Sequence, residues 1–87
     1  MSAILNFAKE LQNRLGKQSK NLNFDVRLDL NGYLYCEMSI NENMSVVVDL
    51  HLGDEEVNNN SQRPEVEILF DQAIHAVKNE TNKLFWR

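Results

Sequence analysis

Residues 29–35 read DLNGYLY, an Asn-Gly pair set between two segments that both alternate apolar and polar side chains. Asn-Gly is the strongest local signal for a two-residue β-hairpin turn. If Asn31 and Gly32 were the whole loop, Leu28 would face Tyr35 and Val26 would face Glu37, so the two apolar sets would lie on opposite sides of the sheet. A loop of Leu30, Asn31 and Gly32, with Asp29 opening a type I turn and Gly32 in the left-handed region, instead pairs Leu28 with Leu34, Val26 with Cys36 and Phe24 with Met38. Only this second register gives one apolar face, so the three-residue loop is expected.

The alternation extends outward from that turn. Residues 23–30 place Phe24, Val26, Leu28 and Leu30 on one side and Asp25, Arg27 and Asp29 on the other. Residues 33–40 oppose Leu34, Cys36, Met38 and Ile40 to Tyr33, Tyr35, Glu37 and Ser39. Residues 44–52 oppose Met44, Val46, Val48, Leu50 and Leu52 to Ser45, Val47, Asp49 and His51. A period of two with one wet side is the pattern of an antiparallel meander covered on a single face. A second three-residue loop, Asn41 to Asn43 with Asn43 left-handed, would pair Ile40 with Met44, Met38 with Val46 and Leu34 with Leu50.

The flanking segments have helical periodicity. In residues 2–16, Ile4, Phe7, Ala8, Leu11 and Leu15 form one stripe, with Ser2 as a possible cap and Gly16 as a stop. In residues 64–84, Pro64 suits a first turn, and Val66, Phe70, Ala73, Ile74, Val77 and Leu84 form a second stripe. Acids near the start of that helix and Lys78, Lys83 and Arg87 near its end match the helix dipole. EVEILF within it also alternates briefly, so a fourth edge strand competes with the helix there. Between sheet and helix, GDEEVNNNSQR (53–63) lacks periodicity and reads as an acidic surface loop. The expected fold is therefore a single α+β domain over residues 1–87, a two-layer sandwich in the order α-β-β-β-α, strand order 1-2-3, both helices on one face.

In this element order the chain resembles the double-stranded-RNA-binding domain. That family reads phosphates through a lysine-rich start to its second helix, whereas the corresponding residues here, PEVEILFD, carry Glu65, Glu67 and Asp71. The resemblance implies the topology and speaks against RNA. In size, acidity and element order the chain also resembles small phage-encoded inhibitors of bacterial defence nucleases, without a shared motif.

Composition bounds the function. The 87 residues carry a net charge of −4 and 43 % hydrophobic residues, ordinary for a soluble domain, with no run long enough to span a membrane. Lys9 and Glu10 interrupt any signal-peptide stretch, and the single Cys36 suits a reducing compartment, so a cytoplasmic location is expected. His51 and His75 have no neighbours at metal-ligand spacing. The 53–63 segment lacks the glycine and closing glutamate of a calcium loop. Cys36 lies on the apolar side of the central strand and reads as a core thiol. No nucleophile elbow, phosphate loop or paired-carboxylate pattern is present. Neither catalysis nor a cofactor is expected.

Charge placement is the informative remainder. Residues 1–20 carry +3, 21–63 carry −6 and 64–87 carry −1. The open side of the meander would gather Asp25, Arg27, Asp29, Tyr33, Tyr35, Glu37, Asp49 and His51. Tyrosines among carboxylates suit recognition of a protein with a basic surface. The expected function is thus a non-enzymatic protein-binding module, a small acidic inhibitor or nucleic-acid mimic that fills a basic groove. Two alternatives stand beside it. One is a homodimer built on the tail NKLFWR through Leu84, Phe85 and Trp86; the other is weak nucleic-acid binding through Lys9, Arg14, Lys17 and Lys20 on and after the first helix.

Overall fold

A computed structural model describes residues 3–62 and 64–85 and gives the order α1 (Ala3–Gln18), β1 (Asn23–Leu28), β2 (Leu34–Asn41), β3 (Met44–Leu52), α2 (Asp54–Asn59) and α3 (Glu65–Phe85). The three strands form one antiparallel sheet in the order β1-β2-β3. α1 packs over β1 and α3 over β3, while α2 lies against α1. The helical stripe and the strand alternation converge on one core of Ile4, Phe7, Leu11, Leu15, Leu34, Cys36, Met38, Val48, Phe70 and Val77, all buried. The chain is a two-layer α+β sandwich in the expected strand order.

The first hairpin has the register that coincident apolar faces require: Phe24 pairs with Met38, Val26 with Cys36 and Leu28 with Leu34. Gly32 N–H donates to the Asp29 carbonyl at 3.1 Å, and Gly32 has φ +85°, a left-handed conformation that glycine adopts without strain. Asp29 N–H closes the ladder on the Tyr33 carbonyl at 2.8 Å. The Asp29 carboxylate accepts the N–H groups of Asn31 and Tyr33 at 2.8 and 2.9 Å, so one side chain holds the whole turn.

Several expectations are corrected. Gly16 does not stop α1, which runs on to Gln18. EVEILF is helical, and the start of α3 carries no fourth strand. The segment after β3 is not an irregular loop throughout. Asp54, Glu55 and Glu56 fill the first turn of α2, and the Glu56 carboxylate reaches back to the Gly53 N–H at 3.0 Å. Val57 supplies its buried anchor at 2 % exposure. The helix is one and a half turns long, too short for periodicity to announce it.

The second hairpin departs from the simple register at both ends. Met38 pairs with Val46 as expected, but Asn41 pairs with Met44 and Leu34 with Leu52, not with Leu50. At the loop, the shift between Ser39 and Asn41 leaves a two-residue connection, and Asn43 keeps a negative φ. At the far end, Leu50 and His51 are two extra residues on β3, a bulge with His51 at φ +56°. Leu28, Leu30 and Met44, expected in the core, are exposed at 37, 105 and 48 %. β1 ends at Leu28, Leu30 occupies the turn, and Met44 sits at the hairpin end. The capping residue Ser2 lies outside the described residues.

The helix layer is fastened by a stack. Phe7 of α1 lies parallel to Phe70 of α3, with ring centroids 4.3 Å apart and planes 6° apart. The Arg14 guanidinium carbon stands 4.0 Å from the Phe70 centroid, so the ring is held between two α1 side chains one heptad apart. Arg14 then donates to both Glu67 oxygens at 3.2 and 3.0 Å and to Glu10 at 2.9 Å. These bonds, Glu67 first, raise the guanidinium pKa above its ordinary value.

Candidate functional site

The sheet face away from the helices is the candidate site. Register places its side chains in cross-strand rows: Arg27, Tyr35 and Asp49 form one, and Asp25, Glu37 and Val47 the next. Arg27 also lies 3.6 Å from Asp25 on the same strand. Beside the first row is a shallow depression of about 490 Å³ lined by Leu28, Asp29, Leu30, Tyr35, Val47 and Asp49. Its lining combines apolar side chains with the carboxylates of Asp29 and Asp49. Val47 is 60 % exposed, and a valine facing water on an open sheet is the kind of apolar exposure that partners cover.

The residues singled out from the sequence divide by role. Asp25, Arg27, Tyr35 and Glu37 lie together on the central rows. Asp29 lines the depression but is committed to the hairpin turn. Asp49 is likewise committed, since its Oδ1 accepts the His51 N–H at 3.0 Å and so supports the β3 bulge. The bulge also displaces His51, so it is not opposite Tyr33; its Nδ1 lies 3.6 Å from Asp49 Oδ1 and its side chain is 84 % exposed. Tyr33 stands apart from the depression. Its ring covers Gly53, the residue that opens α2, where an added Cβ would come within 3.0 Å of the Tyr33 ring. The side chains of Leu84 and Phe85, and Trp86 as a whole, lie outside the described residues.

Sequence reasoning missed Leu28 and Leu30 as parts of this surface, and put Val47 on the open side without singling it out. Three consecutive valines, 46–48, must put one on the wet side of an alternating strand, and Val47 takes that place. Nothing in the alternation marked Leu30, whose exposure follows from its place in the turn.

Among the described residues, no group of three or more His, Cys, Asp or Glu is arranged to hold a metal ion, and no helix is long and apolar enough to cross a membrane. Burial pushes the Cys36 thiol up to about 12, with Asp25 and Glu37 adding to the shift, so at neutral pH it is a protonated core group. No known protein family, curated protein or solved structure matches the chain.

Proposed function

We propose that this protein is a non-enzymatic binding module whose open sheet face occupies a basic, partly apolar groove of a partner protein, as an acidic inhibitor or nucleic-acid mimic would. The reading is carried by one observation: the exposed Leu28, Leu30 and Val47 line one depression together with the half-buried Tyr35 and the carboxylates of Asp29 and Asp49. An apolar centre with a charged rim is the anatomy of a binding patch, and the acidic rim steers toward basic surfaces. Placement in the cytoplasm and exclusion of membrane and nucleic acid as partners belong to the same proposal.

Nucleic-acid binding through α1 is weakened by Arg14, which is engaged by Glu67 and Glu10. The negative charge of the sheet adds long-range repulsion of phosphates.

The test is capture from the native cell with the wild type and with Tyr35→Ala/Val47→Ser. The double variant is expected to weaken capture of the partner by at least about tenfold while its melting temperature stays within a few degrees of wild type. Asp49→Ala is unsuitable because it also removes the support of the bulge. A partner held equally well by the double variant refutes the assignment of this face.

A further inference from the structure

The sheet has a second surface that the sequence did not suggest, the open edge of β1. Asp29 N–H bonds to Tyr33, and antiparallel pairing alternates, so residues 25 and 27 direct their backbone groups to β2 while Phe24, Val26 and Leu28 direct theirs outward. The Val26 N–H confirms this direction: it donates not to a strand but to the Gln12 side-chain oxygen of α1 at 3.0 Å. Two clefts of about 430 and 530 Å³ follow this edge and share Gln12 and Asn13, making one groove between α1 and β1. Lys9 lines one end and Lys17 and Lys20 the other. Among the described residues none of these lysines has an ion-pair partner. The opposite side of the same edge carries Asp25, Arg27 and Asp29, with Arg27 3.6 Å from Asp25, a net charge of −1.

We propose that an extended segment of a partner protein adds to β1 as a fourth strand, with acidic side chains at alternate positions. A strand added at this edge turns every second side chain toward the helix layer, where Lys9, Lys17 and Lys20 favour carboxylates. The intervening side chains lie beside Asp25, Arg27 and Asp29, where Arg27 already pairs with Asp25 and the net charge is −1, so neutral residues fit there and the three lysines on the helix side remain the stronger draw for carboxylates. The groove therefore selects for a charge period of two, which matches strand geometry and does not match the uniform charge of a nucleic-acid backbone. Gln12 acts as a latch. It satisfies the Val26 N–H in the free protein and protects the edge from indiscriminate pairing, and the incoming strand's carbonyl takes its place.

The experiment uses the full chain and an end-capped eight-residue peptide alternating Thr and Glu, with an alternating Thr-Lys peptide and a twelve-residue oligothymidylate as comparisons, at about 150 mM salt. The Thr-Glu peptide is expected to slow amide exchange at Phe24 and Leu28 and to bind more tightly than either comparison. Lys9→Glu/Lys17→Glu should weaken it at least about tenfold, and Gln12→Ala should tighten it about two- to tenfold by removing the competing hydrogen bond. No complex at millimolar peptide, unchanged exchange at Phe24 and Leu28, or oligothymidylate binding as tight as the peptide each overturns the proposal, the last in favour of a phosphate-binding surface. The sheet-face variant Tyr35→Ala/Val47→Ser should bind the peptide normally, which keeps this edge distinct from the face proposed above.

Discussion

Phe70→Ala is expected to lower the unfolding free energy by about 3–5 kcal/mol, the range for removing a buried aromatic ring, and to lower the melting temperature by roughly 15–30 °C. The expectation rests on the position of the ring between Phe7 and Arg14, because its loss leaves two side chains of α1 facing a cavity. A domain of this size has only about 4–13 kcal/mol of stability in all, so the variant should be near the limit of folding. Arg14→Gln separates the contributions. It keeps the aromatic pair while removing a partly exposed ion pair, and should shift the melting temperature by only a few degrees. Thermal melts of both variants decide the point; a Phe70→Ala melt within 5 °C of wild type (about 1 kcal/mol or less) would show that the stack is not what fastens α1 to α3.

Cys36→Asp should abolish folding altogether. The side chain is fully buried on the central strand among Val26, Val48 and Met38, and a carboxylate there must either lose its hydration unpaired or stay protonated at a cost of several kcal/mol. The thiol itself gives a gentler reading of the same environment. Its ordinary value is 9.0 and burial raises it to about 12, so below about pH 9 both folded and unfolded chains keep the proton and stability is unaffected. Above that the unfolded chain releases the proton first, and stability falls by up to about 1.4 kcal/mol per pH unit until about pH 12. Denaturant titrations at pH 8, 9.5 and 10.5 should show this slope in wild type and a shallower one in Cys36→Ala. Equal slopes would mean that the thiol is not held protonated by the core.

The fold was legible wherever a local rule and a global requirement coincided. Asp29, Asn31 and Gly32 could have made more than one turn, but only one left Leu28 facing Leu34. The Phe7–Leu11–Leu15 stripe was equally unambiguous. What escaped were features fixed by tertiary contacts. α2 depends on Val57 finding a place against α1 and on Glu56 bonding back to Gly53. The β3 bulge depends on an Asp49 side chain that looked like a free surface carboxylate. Arg14 read as one of the basic residues on the first helix and proved to cover Phe70. Asp25, Arg27, Tyr35 and Glu37 share the face as the alternation implied, while the β3 bulge moves His51 off it, and the exposure of Leu28 and Leu30 was not legible because it follows from the end of β1 and the turn.

The bond between Arg14 and Glu67 spans 53 positions of chain, whereas the hairpin partners Leu28 and Leu34, or Ser39 and Ser45, lie within a single turn of one another. Closing a short loop loses far less chain entropy than closing a long one, so the meander can assemble before the two ends of the chain meet. The helix clamp then belongs to the late part of folding, and its loss acts mainly on the rate of unfolding. The resistance of this small protein to transient opening would therefore be set by how tightly its first and last helices grip each other.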